Sequence, residues 1–163
     1  MTDTIRDGEQ ILPFNPAERA EAGVTFIGRI ETPWRKGTAP RNLIRARESG
    51  EGATIRLDPG YIPALEGLEP GQPIILLYWM DQAPRNIAVQ NPRHVEGTRG
   101  TFALRSPARP NPIALSVVTL QAIDREAGVL RIDAIDCYDG TPLLDIKPWK
   151  ETIDMPPDWR VGI

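Results

Sequence analysis

Cysteine and histidine each occur once in this 163-residue chain. With Cys137 the only thiol and His94 the only imidazole, an internal disulfide, a zinc site of cysteine and histidine ligands and an iron–sulfur site are excluded, and no metal is expected. Long apolar runs are missing too. The longest, residues 74–80, is strand-sized, far short of the roughly 18 residues of a membrane-spanning helix, so no membrane partner is expected. Residues 1–10 hold no cationic segment followed by an apolar one, so no secretory signal is visible and a cytoplasmic protein is the simplest expectation. Also absent are a Gly-x-Gly-x-x-Gly turn, a phosphate loop ending in Gly-Lys-Ser/Thr and a Gly-x-Ser-x-Gly elbow. No repeat, heptad or low-complexity tract is present, and strands do not alternate with long helical patterns, which argues against a doubly wound parallel sheet.

The chain carries 40% hydrophobic residues, enough for one sizeable core, and its length fits a single domain. It also carries 17 prolines and 14 glycines, which break or weaken helix interiors. A mainly β fold follows: a small single-domain barrel or sandwich with long ordered loops and little helix. Strands are predicted at 24–30, 53–57, 74–80, 101–104, 116–123 and 129–135, where β-branched residues alternate with polar ones or run together. Glu126-Ala127-Gly128 makes the turn of a hairpin joining the last two. A short helix is expected within 61–68, and a capped turn with Pro16 at its first position within 15–22. The organisation read from this is an N-terminal arm at 1–22, partly flexible, a barrel domain at 23–150 and a C-terminal tail at 151–163.

The net charge of −3 hides a segregation. Arg29, Arg35, Lys36, Arg41, Arg45 and Arg47 stand against Glu31 in one stretch; Arg85, Arg93, Arg99, Arg105 and Arg109 stand against Glu96 in another. Folded together they would make an anion site; apart, they are solvated loops. Three prolines between Pro107 and Pro112 stiffen the segment that holds Arg105, Ser106, Arg109 and Asn111. A second segment, 136–149, places Asp136, Asp139 and Asp145 around the tight Asp139-Gly140 turn. It lacks the ligand spacing of a calcium loop, leaving a capped structural turn or a site for a ligand with hydroxyls and positive charge. Cys137, at a predicted strand end, reads as a small buried hydrophobe, and His94 as an anion-contacting residue or a general base. Asp154-Met155-Pro156-Pro157-Asp158-Trp159 departs from the acid-Pro-Pro-aromatic signature of amino-group methyltransferases and is discounted.

These segments together resemble a known family. Ile27-Gly28-x-Ile30-x-Thr32-Pro33, Pro40-Arg41-Asn42, Phe102-x-x-Arg105-Ser106-Pro107-x-Arg109-Pro110-Asn111-Pro112-Ile113 and Asp136-x-x-Asp139-Gly140-Thr141-Pro142-x-x-Asp145-Ile146-Lys147-Pro148 are similar to the TrmO family, also called YaeB-like or VirR-like. The resemblance, over about residues 24–150, implies a small β-barrel methyltransferase that binds S-adenosylmethionine and acts as a homodimer. Family members methylate the exocyclic nitrogen of threonylcarbamoyl-adenosine beside the anticodon of certain tRNAs. By the family's pattern Pro40, Arg41, Asn42, Asp81, Gln82, Arg105, Leu115 and the backbone of Ala134, Ile135 and Asp136 line the cofactor pocket. Asp136 or Asp139 would take the proton from the nucleophilic nitrogen. Arg35, Lys36, Arg93, Arg109, Asn111 and Lys147 would contact the RNA substrate.

Overall fold

The computed structural model describes residues 5–93 and 95–156. In chain order its strands are β1 (Gln10–Ile11), β2 (Gly28–Glu31), β3 (Ala53–Leu57), β4 (Pro73–Trp79), β5 (Ile87–Gln90), β6 (Arg99–Gly100), β7 (Ile113–Asp124), β8 (Val129–Ile132) and β9 (Thr141–Pro148). Among the described residues two short α-helices, α1 (Leu43–Glu48) and α2 (Glu151–Asp154), complete the regular structure with three 3-10 segments. The fold is mainly β, as its proline and glycine content requires. The chain divides into two compact units, one of Phe26–Tyr78 with Leu115–Ile163 and one of Met1–Thr25 with Trp79–Ala114.

The larger unit is built on a closed six-stranded barrel in the order β2-β3-β8-β7-β4-β9. Closure leaves no unpaired strand edge. Alternation decides which side chains fill it: on β3, Ala53, Ile55 and Leu57 are buried while Arg56 points to water, and on β7, Ser116, Val118 and Leu120 are buried while Leu115 and Thr119 face outward. Ile30, Ile74, Leu76, Leu130, Ile132 and Leu143, all wholly buried, complete the interior. One polar pair sits inside it, the Tyr78 hydroxyl 3.0 Å from Ser116 Oγ, each satisfying the other. Two glycines hold tight approaches. A Cβ on Gly28 would stand 2.2 Å from the Arg56 carbonyl oxygen across the β2–β3 pair, and Gly128 takes φ +66° in the β7–β8 hairpin, where a Cβ would stand 2.8 Å from Ile62 Cγ1.

The expected strands at 53–57, 74–80, 116–123 and 129–135 correspond to β3, β4, β7 and β8, and the expected helix within 61–68 is a 3-10 segment, Pro59–Leu65. β9 was not foreseen. Its acids and prolines read as loop, yet Pro142 lies opposite Arg29 near the strand's start, where a missing N–H is tolerated, and Leu143 fills the core. Helix α1 was also unforeseen, and forms because Asn42 caps it and Ala46 is wholly buried.

In the smaller unit β1, β5 and β6 form a three-stranded sheet. Residues read as an N-terminal arm therefore supply a strand: Gln10 pairs with Val89, and Asn15 caps the turn at Pro16–Glu18 through its side-chain oxygen. The strand expected at 101–104 is a 3-10 turn, Thr101–Ala103, because the Thr101 hydroxyl donates to the Ile87 carbonyl and leaves the ladder. Of the expected tail, α2 is exposed and residues 157–163 lie outside the described residues.

Candidate functional site

In the barrel unit two loops are laced together. One runs from the end of β2 to α1, residues 32–42; the other runs from β8 to β9, residues 133–140. The Thr32 amide donates to Asp139 Oδ1 at 3.0 Å, and the Thr32 hydroxyl donates to the Cys137 carbonyl at 3.1 Å. The same hydroxyl accepts from the Trp34 amide at 3.1 Å, and the Trp34 indole N–H donates to the Ile135 carbonyl at 2.9 Å. Backbone bonds from Asp139 N to the Trp34 carbonyl, 2.8 Å, and from Gly140 N to the Ile30 carbonyl, 2.9 Å, close the lacing. The second loop can turn back because Gly140 takes φ +75° and Thr141 Oγ1 donates to the Tyr138 carbonyl at 2.6 Å. Arg29 adds a bond to the Gly140 carbonyl at 2.9 Å.

The outcome is a rigid loop carrying a half-buried Asp136 between buried Ile135 and Cys137, with exposed Asp139 three residues on. Burial pushes the Cys137 thiol up to about 12, and the nearby Asp136 and Asp139 charges push the same way against a hydrogen bond with Thr141. Cys137 is thus a neutral, buried thiol, as its sequence context suggested. The Asp139 carboxylate, expected as a possible proton acceptor, has one oxygen committed to the Thr32 amide and acts as a clip between the loops.

Helix α1 is moored to the same region. Asn42 Oδ1 accepts from Arg45 N at 2.9 Å, so the side-chain oxygen expected to reach a cofactor is used as a helix cap. Arg47 reaches Asp133 Oδ2 at 2.9 Å and the Val117 carbonyl at 2.7 Å, tying α1 to β7 and the end of β8. Arg45 is paired with Glu48. In contrast, Arg35, Lys36 and Arg41 are exposed and, among the described residues, their side chains make no hydrogen bond or ion pair. Pro40 is half-buried beside them. Lys147, on β9, is paired with Asp145 at 2.7 Å. The barrel unit therefore gathers Pro40, Arg41, Asn42, Ala134, Ile135, Asp136 and Asp139 on or beside two interlocked loops, with Leu115 on the outer face of β7.

The smaller unit holds the other expected residues. Asp81 and Gln82 are exposed in the turn after β4, and Arg93 is exposed. The proline-stiffened segment is stapled from within: Arg109 Nε donates to the Ser106 carbonyl at 2.8 Å, and its Nη2 to the Thr101 carbonyl at 3.3 Å and to the Leu104 carbonyl. Arg85 Nε donates to the Pro110 carbonyl at 2.6 Å and its Nη2 to Asn111 Oδ1 at 3.2 Å, while its guanidinium lies over the Trp79 ring. Arg109 and the Asn111 oxygen, expected to contact substrate, are thus engaged in shaping their own loop. Buried Gln90 completes the arrangement, donating to Thr101 Oγ1 at 2.9 Å and to the Ala108 carbonyl at 2.7 Å. Arg105 is exposed on this loop.

Sequence reasoning missed Trp34, Arg85, Gln90 and Thr101 as organisers. Their signal was weak but present: polar side chains with long reach, placed among prolines whose carbonyls lack ladder partners. His94 lies outside the described residues. Among the described residues no three acidic, cysteine or histidine side chains group to hold a metal ion, and no helix is long and apolar enough to cross a membrane.

A closed barrel whose rim loops present carboxylates and unpaired cations is a different class from the parallel-sheet nucleotide binders. The family described as the tRNA-methyltransferase O N-terminal domain matches residues 29–155, and the chain belongs to that family. It is 38% identical over 132 residues to the probable S-adenosyl-L-methionine-binding protein VirR of Rhizobium radiobacter, covering 80% of this chain and 73% of that protein. A probable S-adenosyl-L-methionine-binding protein of Methanothermobacter thermautotrophicus is 39% identical over 136 residues, covering 82% of this chain and 94% of that one. The crystal structure of TrmO from Pseudomonas aeruginosa superposes with a TM-score of 0.66 at 35% identity over 88% of this chain. The chain spans 63% of that TrmO chain.

Proposed function

We propose that this protein is a methyltransferase that uses S-adenosylmethionine and acts on tRNA, at the exocyclic nitrogen of threonylcarbamoyl-adenosine next to the anticodon, working in the cytoplasm as a homodimer. The observation that carries the reading is the interlocked loop pair of the barrel, which presents a fixed carboxylate and backbone carbonyls beside unpaired cations, in a family described by tRNA methylation.

The residues present suit this cofactor. A sulfonium and ribose hydroxyls are matched by carboxylate and carbonyl oxygens, and the one nearby thiol is buried and neutral, so no thiolate competes for the methyl group. When bound, the cofactor supplies an electrophilic methyl for in-line displacement. The backbone of Ala134, Ile135 and Asp136 would hold it, and Pro40, Arg41 and Asn42 would flank it; the family's pattern also assigns Asp81, Gln82, Arg105 and Leu115 to cofactor binding.

The reaction needs alignment more than covalent chemistry, and alignment can supply up to about 7 to 11 kcal/mol. Trp34 and Thr32 provide it by fixing the 135–139 backbone. An exocyclic adenine nitrogen is a poor nucleophile because its lone pair enters the ring. Asp136 accepts a hydrogen bond from that nitrogen's proton and takes the proton late; Asp139 positions the loop. Arg35, Lys36 and Arg93 meet tRNA phosphates, where arginine can grip two oxygens at once. Of the other residues expected at the RNA, Lys147 is partly neutralised by Asp145, and Arg109 and Asn111 act by shaping their loop.

Calorimetry with S-adenosylmethionine tests the premise, and absence of binding at near-millimolar cofactor would defeat it. Labelled cofactor incubated with bulk tRNA, with and without the threonylcarbamoyl group, tests the substrate: label only when that group is present is the expected result. Asp136→Asn should bind cofactor and transfer no methyl, whereas Asp139→Asn, whose amide oxygen still accepts from Thr32, should retain most turnover.

A second reading, a cofactor-binding regulator without transferase activity, is favoured by relatives whose names state binding only. Cofactor binding without transfer to any nucleic acid would select it.

A further inference from the structure

Phe102 is 89% exposed, far more than any other large apolar side chain described. A phenylalanine held in water forgoes the gain of burying its ring. A ring on a loose loop could fold back; this one cannot easily do so. Its neighbour Thr101 is 3% exposed and held at both ends. The Thr101 hydroxyl donates to the Ile87 carbonyl at 2.8 Å and accepts from Gln90 Nε2 at 2.9 Å, and its carbonyl accepts from Leu104 N at 3.1 Å and from Arg109 Nη2 at 3.3 Å. The turn is thereby pinned to β5 on one side and to the proline-rich loop on the other, and it displays the ring outward.

The chemistry around the ring is cationic. Arg99, on β6, and Arg105 are both exposed within three residues of Phe102, and Arg93 is exposed on the same unit. Between Asp81 and Asp124 the only acid is Glu96. A flat apolar surface in an arginine-rich segment suits a ligand that is planar, aromatic and attached to negative charge. An unpaired base on a phosphate backbone has these properties, whereas a paired base hides its face in the stack.

We infer that Phe102 is a stacking platform for an unpaired base of the RNA substrate, with exposed Arg99, three residues before it, meeting the backbone. This rests on the proposal that the protein acts on tRNA and adds to it a specific contact remote in sequence from the carboxylates. Because the turn is already ordered, stacking costs little conformational entropy at the protein.

The test measures binding of two fluorescent RNAs at fixed salt, a tRNA anticodon-arm hairpin with an unpaired loop and a blunt duplex of equal length. Phe102→Ala should weaken hairpin binding about 10-fold while leaving duplex binding and S-adenosylmethionine affinity unchanged. Phe102→Trp should restore hairpin binding and report it by quenching of the new indole's fluorescence. Phe102→Leu, apolar but not aromatic, should fail to restore it. Equal hairpin affinity for wild type and Phe102→Ala would overturn the inference. So would full rescue by Phe102→Leu, or a change of molecular mass in light scattering on Phe102→Ala, which would make the ring a contact between copies of the chain. Failure of the wild type to bind either RNA would defeat the tRNA reading itself, a result distinct from a wild type that binds and a variant that binds equally well.

Discussion

Two arginine-rich segments in this protein use their charge in opposite ways. Around 104–113, Arg85 and Arg109 turn inward and spend their donors on Pro110, Ser106, Thr101 and Leu104 carbonyls. Around 32–42, Thr32, Trp34 and Asp139 do the fastening, and Arg35, Lys36 and Arg41 are left outward without partners among the described residues. The difference follows from the backbone each segment has to satisfy. A run with prolines at 107, 110 and 112 has carbonyls but few N–H groups, so long donors must come from side chains. The loop at 32–42 faces another loop with amides of its own, and its fastening needs no cation from within the loop. Arginine in a proline-rich loop is therefore weak evidence for an anion site until its carbonyl neighbours have been counted.

Removing an inward guanidinium should have the largest effect on stability. Arg109→Ala leaves the half-buried Ser106 and Leu104 carbonyls without this donor and should cost about 2 to 4 kcal/mol by denaturant titration. Arg109→Lys keeps the charge without the fork and should recover less than half; full recovery by lysine would mean that charge, not geometry, matters there.

A smaller loss is expected from the neutral lacing. Trp34→Phe deletes the donor to the Ile135 carbonyl, and Thr32→Val removes both hydroxyl bonds; each should cost about 1 to 2 kcal/mol. Faster amide exchange confined to 135–139 would accompany it. Unchanged exchange there would show that the loops do not depend on each other.

The buried thiol gives a pH-dependent term of similar size. Its folded pKa of about 12 lies above the unfolded value of about 8.5. Its contribution is therefore complete below pH 8.5 and is lost as pH rises toward 12. Between pH 8 and pH 10 the wild type should lose about 2 kcal/mol more than Cys137→Ala, and native Cys137 should resist thiol reagents at pH 8. Parallel stability curves for the two chains would contradict this.

The outward cations should matter least to the fold. Replacing Arg35, Lys36 and Arg41 together by alanine should shift stability by no more than about 0.5 kcal/mol. If each meets a phosphate, the logarithmic salt slope of tRNA binding should fall by about 2 to 3. A large stability change with an unchanged slope would reverse the roles assigned to the two segments.

The barrel was legible because burial enforces alternation: Ala53, Ile55 and Leu57 announce themselves as one face of a strand, as do Leu130 and Ile132. The Asp139-Gly140 and Ala127-Gly128 turns were legible because glycine at positive φ is a local requirement. β9 was hidden, since Pro142, Asp145 and Pro148 speak for loop, and only pairing with both β2 and β4 overrules them. The motif residues could be found by pattern, but whether a side chain faces its own loop or a ligand depends on three-dimensional neighbours. That is why the contacts Asp139, Asn42 and Arg109 make within their own surroundings, clip, cap and staple, were not foreseen.

β4 and β7 stand side by side in the barrel, yet the chain between them runs from Trp79 to Ala114 and forms most of the second unit. Neighbouring strands can be joined by a tight turn, so this stretch is architecturally a guest in the barrel. Lengthening or shortening such a guest alters the closure entropy only slowly and leaves the host's register untouched. The join between these two strands is thus where descendants of this chain can exchange recognition surfaces while inheriting an unchanged barrel.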